Sequence, residues 1–138
     1  MTMNRSWVLD SYPEGPARAE NFRLVENPIP QPGPGQILIR TRWLSMDPYM
    51  RGRISPAKNY TAGVRPGETM HGGGVGEVVA SNHPGWQAGD LVESMNLGWQ
   101  EYAVIAPDQG GTAAANRVLP DAPPQAALSW LGMPGLTA

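Results

Sequence analysis

Three short runs carry the residue types that could do chemistry. In the first, Asp47-Pro48-Tyr49-Met50-Arg51-Gly52-Arg53, an aspartate suits a helix cap and a proline suits the first helical position. Gly52 can stop the turn after barely one revolution. A helix that short, set at the end of a strand, would present the Tyr49 phenol as a hydrogen-bond donor aimed into a cleft. The alternative is a half-buried aromatic whose hydroxyl is tied up locally. In the second run, His71 precedes Gly72, Gly73, Gly74 and Gly76. The third, Met133-Pro134-Gly135-Leu136-Thr137, places a hydroxyl on the first turn of a helix, whose free N–H groups suit an amide or an anion. Ordinary capping is the alternative there.

The glycine run invites comparison with a phosphate loop, but that fingerprint needs strand, glycine turn and helix in that order. Here the glycines lead into the β-branched run Val75 to Val79, so a β-bulge or a close backbone crossing is expected. No second ligand accompanies His71, which reads as a structural or rim histidine. Glu77 and Glu101 fall on strands, where unpaired glutamates usually face solvent. Trp99 could wall a pocket, and Tyr102 is expected in the core.

The elements that must position these residues are mostly strands. Arg5–Leu9 and Phe22–Glu26 are short strands around a loop at Ser11–Glu20. Four prolines at positions 28, 30, 32 and 34 make a stiff connector. Gln36–Leu44 is the strongest strand, with Ile37, Ile39, Thr41 and Trp43 on one face and Leu38, Arg40 and Arg42 on the other. Ser55–Glu68 is a loop long enough to move or to cover a site. Glu68–Ser81 runs the glycine cluster into a strand, strands follow at Asp90–Met95 and Trp99–Ile105, then a loop at Pro107–Asn116 and a helical window at Gln125–Leu131. The last residues read as the opening turn of a helix cut short, so the 138 residues are expected to be a fragment of a longer chain.

Composition agrees with a mainly β body. Gly 17 and Pro 15 are a high share, which helices tolerate badly and turn-linked strands tolerate well. A net charge of −2, with no basic cluster, argues against a nucleic-acid binder. No run of about 18 apolar residues suggests a membrane span, and the N-terminus lacks the apolar core of a signal peptide. A cytoplasmic protein is the default expectation. Cysteine is absent, so thiolate nucleophiles and cysteine-ligated zinc are excluded.

Leu44 to Arg53, Gly74 to Val79, Gly85 to Val92, Trp99 to Tyr102 and Gly132 to Ala138 together resemble the medium-chain dehydrogenase/reductase superfamily. The resemblance is to its zinc-independent branch of NADP-dependent alkenal and prostaglandin double-bond reductases, leukotriene B4 dehydrogenase-like and curcumin reductase-like. It implies a GroES-like, partly open β-barrel over residues 1–124. Residues 125–138 would then begin the junction to an absent NADP-binding Rossmann domain, which holds most of the cofactor. Zinc relatives place a cysteine near Met46-Asp47 and a histidine–glutamate pair near His71-Gly72, so no zinc is expected. The implied reaction is hydride transfer from NADPH to the β-carbon of an enone or enal, with a donor stabilising the charge that builds on the carbonyl oxygen. By the same resemblance Tyr49 is catalytic, and Pro48, Tyr49, Met133 and Thr137 border the nicotinamide. The fragment alone would be inactive, and the full-length protein could be a homodimer. A quinone reductase of the same superfamily and a stand-alone GroES-like binding module remain alternatives.

Overall fold

In the computed structural model, residues 3–46, 50–55, 63–109 and 115–118 are described. β1 (Met3–Leu9) and β2 (Phe22–Pro28) form an antiparallel ribbon in full register, Met3 opposite Pro28 and Leu9 opposite Phe22. Pro28 ends β2, where a missing N–H costs the ladder least. β3 (Ile37–Leu44), β4 (Gly74–Ser81), β5 (Leu91–Ser94), β6 (Tyr102–Ile105) and β7 (Asn116–Arg117) form one antiparallel sheet in the order β6-β3-β4-β5-β7. The free edge of β1 meets two segments at once, through bridges from Ser6 to Gln100 and from Val8 to Thr69. The buried Asn4 side chain extends that contact: its Oδ1 accepts from the Tyr102 N–H at 3.0 Å and its Nδ2 donates to the Tyr102 carbonyl at 3.2 Å. The ribbon thus curls against the sheet, and the fold is mainly β.

Two apolar clusters fill it. One gathers Ile37, Ile39, Val78, Trp86, Val92, Leu97, Ala103 and Ile105 on the sheet. The other gathers Leu9, Met50, Ile54, Val64 and Met70, with Tyr12, Phe22 and Trp99 at its margin. Each fully buried aliphatic side chain contributes roughly 1.5–3 kcal/mol through lost apolar exposure.

The strict alternation expected of β3 fails. Ile37, Leu38 and Ile39 are all buried, while Trp43 is 38% exposed. The β3–β4 register skips one residue of β4 at Val79 and gains one of β3 at Arg42, so the side-chain alternation resets at each point. The close crossing expected of the glycines is present. A Cβ on Gly76 would lie 2.5 Å from the Arg40 carbonyl oxygen, and one on Gly74 would lie 2.6 Å from that of Trp43. Tyr102, expected in the core, is half-buried at the sheet margin. Trp99–Glu101 precedes β6 as a turn and an isolated bridge rather than as strand, because its backbone pairs with β1 and Met70. The expected loop from Pro107 contains a 3-10 turn at Pro107–Gln109 and ends in β7, whose Asn116 Nδ2 donates to Glu93 at 3.2 Å.

Candidate functional site

β3 delivers the chain to the run at Asp47, and the one-turn helix α1 (Met50–Arg53) follows it. Gly52 lies inside this turn and does not stop it; the helix ends at Arg53. Asp47, Pro48 and Tyr49 lie outside the described residues, as do Met133 and Thr137 and the proposed domain boundary at 124/125. From Met50 onward the helix is tied to its neighbours. Met50 is 6% exposed and packs into the second apolar cluster. The Arg51 guanidinium donates to the Gly15 carbonyl at 2.7 Å, and the Arg53 carbonyl accepts from the Val64 N–H at 2.7 Å.

Facing α1 is the segment from Met70 to Gly74, which is held on both sides. The Gly73 carbonyl accepts from Ser45 at 2.9 Å, and the Gly72 carbonyl accepts from Gly98 at 2.9 Å. Gly72 lies against the Trp99 indole and the Met50 methyl, at 3.0 and 3.3 Å from where a Cβ would stand. Trp99 in turn packs on Phe22 with ring centroids 5.4 Å apart. Its buried Nε1 has no hydrogen-bond partner among the described residues. Trp99 also lines an open groove of about 510 Å³ with Trp7, Leu24 and Leu44, in keeping with a pocket wall. A second groove of about 560 Å³ is more polar and shares Arg5, Thr41 and Glu101 with the first.

Of the titratable candidates, His71 is half-buried, and its Nδ1 lies 3.2 Å from Arg53 Nη1. Burial, and then the neighbouring Arg53 charge, push His71 below its usual range, with Glu68 acting the other way. Glu77 and Glu101 do not form a carboxylate pair. Glu77 meets Arg42 at 2.8 Å and Glu101 meets Arg5 at 2.6 Å, each half-exposed. The Arg5 hydrogen bond holds Glu101 below the ordinary carboxylate range. The sequence reading missed Arg53 as the partner of His71. Eighteen residues separate them, and no local pattern announces the contact.

Gly72, Gly73, Gly74 and Gly76 offer a nicotinamide cofactor's phosphates no seat. The glycines that might have cradled them face Trp99, Met95, Leu97 and the β3 backbone, so the space a phosphate would need is filled by protein. The described residues also hold no group of three or more potential metal ligands, and no described helix is long and apolar enough to cross a membrane.

The family described as the N-terminal domain of oxidoreductase matches residues 5–112. The chain is 47% identical to the NADPH-dependent curcumin reductase of Escherichia coli, over 98% of this chain and 38% of that protein. It is 32% identical to the NADP(+)-dependent 2-alkenal reductase of Nicotiana tabacum, over 98% of this chain and 39% of that protein. Among solved structures it resembles CurA in complex with NADPH from Vibrio vulnificus, with a TM-score of 0.85 and 44% identity over 96% of this chain and 38% of that one. The chain thus spans about two-fifths of the length of the relatives it matches. It belongs to the family of oxidoreductase N-terminal domains.

Proposed function

We propose that this chain is the N-terminal domain of an NADPH-dependent reductase of the carbon–carbon double bond in α,β-unsaturated aldehydes and ketones. The 47% identity to a curcumin reductase, sustained over 98% of the chain, carries this reading. Residues 1–124 form the barrel that walls the substrate, and residues 125–138 lead to a Rossmann domain that holds the cofactor's phosphates. NADPH supplies the hydride. The chain's part is to orient substrate and exclude water: Tyr49 donates toward the carbonyl oxygen, and Pro48, Met133 and Thr137 border the nicotinamide. The packing of Met50, the residue after Tyr49, against Gly72 supports this reading. The enzyme works in the cytoplasm on small molecules, with a homodimer as the assembly to be checked by light scattering.

The test is NADPH oxidation by the full-length protein on a panel of 2-alkenals, enones and quinones, with the 138-residue chain alone as control. Turnover of enals and enones by the full-length protein, and none by the chain alone, is expected. Preference for quinones would replace the substrate class with the quinone-reductase reading. Tyr49→Phe is expected to lower kcat/KM about tenfold, the loss of one aimed donor. Unchanged kinetics would reduce Tyr49 to packing.

A further inference from the structure

Helix α1 is too short to hold itself in place. One turn of helix is unstable in isolation, and α1 spans Met50 to Arg53. Its orientation must come from outside, and among the described contacts the Val64 N–H on the Arg53 carbonyl and three of its side chains contribute. Met50 is buried in the apolar cluster. Arg51 is tied to the backbone at Gly15. Arg53 reaches across to His71. The first two tethers are insensitive to protonation. The third is not.

Arginine has five N–H donors and no acceptor, so a hydrogen bond from Arg53 to His71 Nδ1 requires a lone pair on that nitrogen. In neutral His71 the proton then resides on Nε2. Protonating the ring turns Nδ1 into a donor, removes the bond and sets two cations against each other 3.2 Å apart. The anchor side is rigid, since His71 lies between buried Met70 and Gly72 and the backbone on either side is bonded to Trp99, Gly98 and Ser45. Among the described residues, Glu68, on the segment leading to His71, is the other charged group that bears on the ring; its Oε1 accepts the Arg65 N–H at 2.8 Å.

We propose that His71 is a positioning residue: in its neutral, Nε2-protonated form it receives Arg53 and helps to fix the helix that directly follows Tyr49, and on protonation that one tether is lost and the helix end shifts. Burial and Arg53 both favour the neutral ring at physiological pH. The proposal rests on the reading of Tyr49 given above, because the helix matters to catalysis through that phenol. It makes the acid limb of activity a property of His71 rather than of a reacting group.

The experiment uses the full-length reductase. His71→Leu is expected to lower kcat/KM about tenfold by misplacing the substrate wall. His71→Asn puts an amide oxygen where Nδ1 stood; it restores most of that loss and abolishes the acid limb of the pH profile. In ¹⁵N-histidine-labelled protein, the resonances that vanish in His71→Asn should show Nε2 protonated, Nδ1 bare and a midpoint below 6.5, the ordinary value. A proton on Nδ1, a midpoint at or above 6.5, or wild-type kinetics in His71→Leu overturns the proposal. An inert Tyr49→Phe sinks the underlying reading instead, and the histidine resonances still decide whether the Arg53 bond exists.

Discussion

The two apolar clusters are built from different materials. The sheet cluster takes Ile37, Ile39, Val78, Val92 and Ile105 from four adjacent strands, with each backbone held by a ladder. The second takes Leu9 from β1, Met50 and Ile54 from α1 and its exit, and Val64 and Met70 from loops. β-branched side chains on paired strands have few alternatives, so the first cluster is rigid and specified. Methionines adapt their shape and loops lack ladders, so the second owes its order to single hydrogen bonds and to tight fits around glycine. It is also the cluster that takes in Met50, the residue that follows Tyr49 in the chain. The fold therefore puts its stiffness in the sheet and its adjustability around the short helix α1.

The sharpest way to break that contrast is to add one carbon to each. Gly76→Ala forces a Cβ to within 2.5 Å of the Arg40 carbonyl oxygen and of the Ile39 methyl, where the backbone has no room to yield. We expect a loss of about 3 kcal/mol or more, read as a drop in urea midpoint of the full-length protein or as failure to fold. Ile39→Ala, which leaves a cavity in the same cluster, is expected to cost about 2–5 kcal/mol in the same assay, with KM unchanged in the protein that remains folded. Gly72→Ala meets the Trp99 ring at 3.0 Å and the end of the Met50 side chain at 3.3 Å, and both can give. It is expected to cost about 1 kcal/mol or less but to alter KM. Should Gly72→Ala prove as destabilising as Gly76→Ala, the second cluster is as stiff as the first and the contrast is wrong.

The same contrast explains what could be read from the amino acids. The strands at Phe22, Ile37 and Val75 announce themselves through alternation, β-branching and flanking turns. Gly74 and Gly76 announce a bulge or a close crossing, because glycines that lead into a strand weaken it unless backbone or a bulge needs the space. Trp43 was misplaced because a bulge adds a residue without any change in composition, and the register that reveals Arg42 as extra belongs to the partner strand. β7 was missed because two polar residues, Asn116 and Arg117, carry no period; they pair through Glu93 and Asp90 across 20-odd residues of chain. The Arg53–His71 contact was invisible for the same reason: it depends on where β4 starts, not on either local sequence.

The smallest expected effect falls at the far end of the sheet, in the turn that joins β4 to β5. Asp90 Oδ2 accepts from the Gln87 N–H at 2.9 Å and from Arg117 at 3.1 Å, and Gly89 before it has φ +99°. The Gln87 N–H first, and Arg117 second, hold the Asp90 carboxyl below its ordinary value of 3.8. A carboxyl whose folded value is depressed binds its proton more readily when unfolded. Its contribution is therefore complete above about pH 4, the unfolded value, and is lost as pH falls through the folded one. The carboxyl lies at the surface, with 27% of its side chain exposed, and solvent screening limits that contribution to about 0.5 kcal/mol. Asp90→Asn should lower the urea midpoint slightly at pH 7 and converge with the parent protein in acid. Gly89→Ala, strained at positive φ, should cost about 1 kcal/mol at every pH. A pH-independent loss in Asp90→Asn would assign the turn's stability to shape alone. Either result leaves KM untouched, because the turn belongs to the stiff half of the molecule.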